Sequence, residues 1–204
     1  MRNRYLDIAT RPAVHAARLD ADGVDRYDGV DGPFVNDRLG ATEAAFIASR
    51  DSFYVASVSE TGWPYMQHRG GPAGFLRVLD DKTLGFADLR GNKQYVTVGN
   101  MRVNDPVSLF LMDYARTRRL KVYGALSIVT DPAFAKRLQT PGYGGRDERY
   151  VRIEVSAFDW YCPQHITARI TEAEVQVASA PLYRRIAELQ AEVVRLTQLK
   201  WPQP

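Results

Sequence analysis

Between residues 52 and 160 apolar and polar positions alternate in short runs, and glycine, proline or acidic residues close each run. "SFYVASVS" (52–59), "WPYMQHR" (63–69), "GFLRVLD" (74–80), "TLGFADL" (83–89), "PVSLFLMD" (106–113), "RRLKVYGALSIV" (118–129) and "RYVRIEVSAFDW" (149–160) read as strands. Glu60-Thr61-Gly62, "GGPA" and Asp80-Asp81-Lys82 read as hairpin connections between the first four. Short strands in series, without alternating helices, predict antiparallel pairing and a closed barrel.

Helical spacing is confined to the flanks and two insertions. Pro12 to Leu19 predicts a short helix, and the Asp- and Gly-rich stretch 20–33 a surface loop without the ligand spacing of a calcium loop. Thr42 predicts an N-cap for a helix to about Arg50, with Ala45, Phe46 and Ser49 facing inward. Asp131-Pro132 predicts another helix start. Thr171 and Glu174 have capping-box spacing, and Pro181 reads as the first residue of a final helix reaching Lys200. Along it Leu182, Ile186, Leu189, Val193, Leu196 and Leu199 recur at steps of four and three. So narrow a stripe fits either packing on the barrel or a contact with another subunit. The pattern divides the chain into an N-terminal helix and loop (1–40), a barrel domain (41–170) and a C-terminal helical extension (171–204).

Composition narrows the function classes. The chain of 204 residues is 45% hydrophobic and carries 27 basic against 24 acidic side chains, interspersed, for a formal charge of +3. No polybasic tract or basic helix face emerges, which argues against a nucleic-acid partner. The N-terminus lacks an apolar leader and no long uncharged apolar run occurs, so neither secretion nor a membrane partner is expected. A lone cysteine, Cys162, fits a reducing compartment, and the cytoplasm is the expected location.

Three histidines and one cysteine, with only Cys162 and His165 in a C-x-x-H pair, fall short of a four-ligand site, so no metal is expected. No nucleophile elbow is present, and "RGGPAG" (69–74) precedes a strand rather than opening a helix, unlike a dinucleotide fingerprint. What remains is a set of donors at strand ends: Gln67, His68 and Arg69; Arg90, Asn92 and Lys93; Arg118, Arg119 and Lys121. Basic groups meeting at a barrel end would suit a phosphate. The middle cluster has two readings on its residues alone. Gly91-Asn92 signals a two-residue hairpin with Tyr95-Val96-Thr97-Val98 as the returning strand, or the turn cradles an anion.

Four segments in order resemble the pyridoxamine 5′-phosphate oxidase-like proteins: "ETGWPYMQHRGGP", "LGFADLRGNKQY", "NDPVSLFLM" and "RRLKVYGALSIV", over about residues 40 to 170. The resemblance implies a mainly β fold, an antiparallel FMN-binding split barrel that dimerises with the cofactor at the subunit interface. In that family the second segment leads from a strand into a short helix, so the resemblance makes Arg90, Asn92 and Lys93 phosphate ligands. It further places Gln67, His68 and Arg69 along the isoalloxazine edge, Ala87 and Asp88 beside the ribityl chain, and Arg119 against the flavin from a third strand. Trp160 matches a tryptophan laid near the ring by the partner subunit, although its residue type equally allows a core aromatic. Gln164 and His165 in "WYCPQHI" would complete the pocket, and the "CPQHI" subgroup is the most similar. The chain reads "QHRGGP" where the true oxidase has an arginine-and-lysine strand, and it lacks that enzyme's C-terminal substrate segment. The expectation is therefore an FMN-dependent oxidoreductase acting on an unidentified small molecule, with His68 and His165 as candidate proton carriers. Its alternatives are the same fold holding haem or a deazaflavin, and a non-enzymatic flavin carrier or sensor.

Overall fold

The computed structural model describes residues 1–25, 27, 29, 31–139, 147–160 and 164–200. Its elements run β1 (Arg2–Asn3), α1 (Arg4–Ala9), α2 (Pro12–Asp22), β2 (Phe34–Val35), α3 (Ala41–Ala48), β3 (Ser52–Val58), β4 (Pro64–Gly70) and β5 (Arg77–Val78). Then come β6 (Thr83–Leu89), α4 (Val96–Met101), β7 (Pro106–Asp113), β8 (Arg118–Val129), α5 (Pro132–Leu138), β9 (Asp147–Trp160) and α6 (Glu172–Lys200). None of the described helices is long and apolar enough to cross a membrane.

β3 to β9 form one antiparallel sheet in the order β4-β3-β7-β8-β9-β6-β5. Period-2 alternation sends one face inward: Phe53 and Val55 of β3, Leu109 and Leu111 of β7, Leu120 and Val122 of β8, and Ile153 and Val155 of β9 are all buried. The sheet curls round that face. β3 and β6 are four places apart in the order, about 19 Å in a flat sheet at ~4.8 Å per strand. Yet the rings of Phe53 and Phe86 meet at 5.4 Å, edge to face, with Phe75 beside them. The result is the split barrel, with β4 and β5 at its two free ends.

Curling that far needs local relief. β8 and β9 slip register between Tyr123 and Gly124, a bulge that bends both long strands. A Cβ on Gly124 would sit 2.5 Å from the Glu154 carbonyl oxygen, so only glycine lets the two backbones approach there.

Several expectations need correction. "GGPA" does not turn a hairpin: the chain after β4 crosses to the opposite end of the sheet, because Phe75 and Leu76 turn inward to fill the barrel. Only Arg77 and Val78 of the run 74–80 then pair as strand. The cap of α3 is Gly40, whose N–H donates to Glu43 Oε2 at 2.9 Å. Thr42 is an exposed residue of the first turn, and the buried stripe is Glu43, Phe46 and Ile47, with Ala45 and Ser49 outside. Pro181 lies within α6, which opens instead at the Thr171/Glu174 box: Glu174 N–H donates to Thr171 Oγ1 at 3.2 Å and Thr171 N–H to Glu174 Oε2 at 2.9 Å. At so exposed a position the carbonyl that Pro181 leaves without a partner can turn to water. The loop expected from residue 20 starts after Gly23, which caps α2 at φ 70°. The helix at Asp131-Pro132 forms as expected, with the Asp131 carboxylate accepting from the N–H groups of Ala133 and Phe134.

Candidate functional site

The split between β4 and β6 is bridged by charge. Arg69 Nη1 of β4 meets Asp88 Oδ1 of β6 at 2.5 Å, and Arg149 Nε of β9 approaches Asp88 Oδ2 at 3.6 Å. All three side chains are largely buried. Arg149 is in place because β6 and β9 pair Asp88 with Arg149. The register then slips so that Leu89 pairs with Asp147, leaving Glu148 as the extra residue of a bulge. Glu148 turns to Arg149 Nη2 at 2.7 Å and accepts from the Tyr95 hydroxyl at 2.6 Å, while the Arg149 guanidinium lies 4.7 Å over the Tyr95 ring. One network thus runs from the barrel end to the turn before α4.

The network tunes its acids. Burial pushes the Asp88 carboxyl above its ordinary value, against the pull of Arg69 and Arg149. The Tyr95 hydroxyl, then Arg149, hold Glu148 below its ordinary value.

Against this network lies a cavity of about 340 Å³. Gln67, His68 and Arg69 line it from β4, Ala87 and Asp88 from β6, and Arg90, Asn92 and Lys93 from the following turn. Its floor is the Phe75 and Phe86 rings of the core. The hairpin reading of residues 87–100 fails, because Val96, Thr97 and Val98 open α4 rather than a returning strand. The turn itself is strained: Lys93 and Tyr95 both take left-handed backbone conformations, φ 61° and 53°, and Asn92 Oδ1 braces it by accepting from the Gln94 N–H at 3.1 Å. Arg90 and Lys93 line the cavity and form no salt bridge among the described residues, while Glu148 on the same lining interacts with the Arg90 charge. Arg69 Nε is buried without an acceptor among the described residues. Gln67 is oriented, its Oε1 accepting from Thr97 Oγ1 at 2.9 Å, which turns its amide N–H₂ away from that bond.

Eight residues that the sequence singles out therefore converge; Arg118, Arg119, Lys121, Trp160, Gln164 and His165 lie outside the cavity lining. Arg119 lies on the outward face of β8, paired with Met112, three strands from β4 and about 14 Å away at ~4.8 Å per strand. Trp160 donates from Nε1 to Glu43 Oε1 at 2.6 Å and packs edge-on against Phe46 at 4.8 Å, outside the cavity lining. His165 is exposed and outside the cavity lining. Tyr161, Cys162 and Pro163 of "WYCPQHI" lie outside the described residues. Thr97, Arg149 and Glu148, which orient the site, are not among the site residues of the sequence reading. Only the α4 boundary and the β6–β9 register place them, and periodicity fixes neither.

The family model described as pyridoxamine 5′-phosphate oxidase matches residues 39–197. No curated protein matches the chain. Among solved structures, HupZ of Group A Streptococcus is 18% identical, with a TM-score of 0.50 over 65% of this chain and 100% of its own. An FMN-binding protein of Syntrophomonas wolfei is 14% identical, with a TM-score of 0.44 over 57% of this chain and 81% of its own. The FAD binding protein of Mycobacterium smegmatis is 17% identical, with a TM-score of 0.44 over 61% and 96%. At these identities the likeness is one of fold.

Proposed function

The chain belongs to the pyridoxamine 5′-phosphate oxidase family, and on that premise we propose that its cavity binds FMN and that the protein is an FMN-dependent oxidoreductase acting on a small molecule. The observation that carries this reading is the convergence of Gln67, Arg69, Arg90, Asn92 and Lys93 on one cavity. Two cations on a strained turn, without salt-bridge partners among the described residues, suit a terminal phosphate, which accepts charge-assisted hydrogen bonds from both. The buried Arg69 Nε supports a flat ligand rich in carbonyl and ring-nitrogen acceptors. The volume, near the lower end of the ~300–1,000 Å³ usual for ligand pockets, suits a flavin covered on one side by this chain.

Bound FMN supplies hydride transfer, which no side chain here provides. Arg69 and the Gln67 amide are donors placed to stabilise negative charge along the ring edge. Arg90 and Lys93 hold the phosphate, with Asn92 bracing the turn. His68, beside the cavity and edge-on to Tyr54, is the imidazole positioned to carry a proton to or from the ligand.

The open side is closed by a second copy of the chain. The outward face supports this: the registers align His68, Tyr54, Phe110 and Lys121 across four strands, with Met112 and Arg119 in the adjacent row. Tyr54 is 37% and Met66 67% exposed on that face. Packed against its copy, the face brings the second chain's Arg119 toward the first chain's cavity.

The absorption spectrum of the purified protein tests the cofactor. Two visible bands near those of free flavin are expected. A Soret band indicates haem and a single band a deazaflavin, and either overturns FMN. Arg90→Ala/Lys93→Ala should lose the flavin on gel filtration, and unchanged occupancy refutes the phosphate placement. Anaerobic bleaching by NADH or NADPH is expected of the oxidoreductase, whereas a flavin that no reductant in a panel bleaches points to a carrier.

A further inference from the structure

Among the described residues, no element packs along α6. Every described residue of it except Ser179 is exposed, including Val175 (51%), Leu182 (66%), Ile186 (49%), Leu189 (44%), Val193 (62%) and Leu196 (46%). A helix of 29 residues, about 44 Å at 1.5 Å per residue, that leaves six large apolar side chains on one stripe is incomplete by itself.

The stripe has the order of a coiled-coil seam. In heptad notation Ile186 and Val193 are at a, and Val175, Leu182, Leu189 and Leu196 at d. β-branched residues at a with leucine at d are the combination that favours two parallel strands over three or four. The flanks agree. In a parallel pair the g and e′ positions bring Arg185 opposite Gln190 and Glu192 opposite Thr197, so no like charges meet. Arg185 and Glu192 are already partnered along their own helix, by Glu188 at 3.0 Å and by Arg195 at 3.8 Å. A flank without net demand for opposite charge selects an identical helix rather than an acidic or basic partner. Pro181 sits at c, off the seam, and Glu172 and Ser179, toward the N-terminal end, are the polar residues at the a positions 172–193.

We infer that α6 pairs with α6 of a second copy as a parallel two-stranded coiled coil, an interface separate from the barrel face. The inference does not rest on the flavin.

The test is disulfide trapping of the full chain in a Cys162→Ser background, with the flavin spectrum recorded on each sample. Leu189→Cys, at d, should give a covalent dimer on mild oxidation at micromolar concentration, because in-register d positions face each other across a parallel seam. Ala191→Cys, at f on the opposite face, should stay monomeric under denaturation. Absence of the Leu189→Cys dimer, whether because the helices run antiparallel or because another protein occupies the stripe, overturns the inference, as does equal trapping at both positions. Helical circular dichroism equal to that of the parent guards against a misfolded variant. If trapping succeeds and flavin is absent, the cofactor proposal alone falls; the reverse pattern sinks only the coiled coil.

Discussion

Replacing Asp88 by asparagine removes the one acid that Arg69 and Arg149 share where the barrel is split. At an effective dielectric of about 20, contacts of 2.5 and 3.6 Å represent gross attractions of about 7 and 5 kcal/mol. Desolvating three buried ions costs several kcal/mol each and offsets most of that. The upward shift of the Asp88 carboxyl has the same origin: burial outweighs the two guanidinium groups. The intact pair thus adds little net stability, but its rupture is costly, because the Arg69 guanidinium stays buried without its counter-charge and Arg149 keeps only Glu148. Asp88→Asn should therefore lose about 3 kcal/mol, and about 6–12 °C in Tm for a chain of this length. Thermal unfolding by circular dichroism on flavin-free protein, at two salt concentrations, is the assay; burial should keep the loss nearly independent of salt. Arg69→Met should cost less in the Asp88→Asn background than in the parent, since the guanidinium it removes is then a liability. A Tm within about 2 °C of the parent, or additive single mutants, would refute the claim that this charge clip holds the barrel ends together.

Lys93→Gly should raise the stability of flavin-free protein by about 1 kcal/mol, by relieving a left-handed lysine, while weakening flavin binding; melting and fluorescence titration read the two effects separately. Thr97→Val removes the donor that orients Gln67 and should weaken flavin binding about fivefold, or about 1 kcal/mol; an unchanged Kd would show that Gln67 does not touch the ligand. Gly124→Ala forces a Cβ against the Glu154 carbonyl and should cost about 3 kcal/mol by urea denaturation. A loss under about 1 kcal/mol would mean that the β8–β9 bulge yields easily.

How far the sequence reveals this architecture depends on which interactions are local. Alternation marked six of the seven sheet strands within two residues, because one buried face imposes period 2 on each strand wherever it lies. It also read "GFLRVLD" as a strand, and failed there for a non-local reason: Phe75 and Leu76 are apolar because they plug a barrel whose closure no run of seven residues contains. The misplaced α3 cap has a similar cause. Thr42 is the better capping residue by type, but Glu43 is drawn inward by Trp160, 117 positions away, and takes the Gly40 N–H as it goes. The candidate site divides along the same line. Gln67, Arg69, Arg90 and Lys93 show themselves as donors at strand ends, whereas Arg149 is one more arginine in an alternating strand until the register sets it against Asp88. Arg119 is the instructive case. Within one chain it stands three strands from the cavity, on the face that also carries His68 and Tyr54. A pattern that reads Arg119 as a ligand is therefore a statement about two chains, and its proof lies in whether Arg119→Ala weakens flavin binding only under conditions where the protein is dimeric.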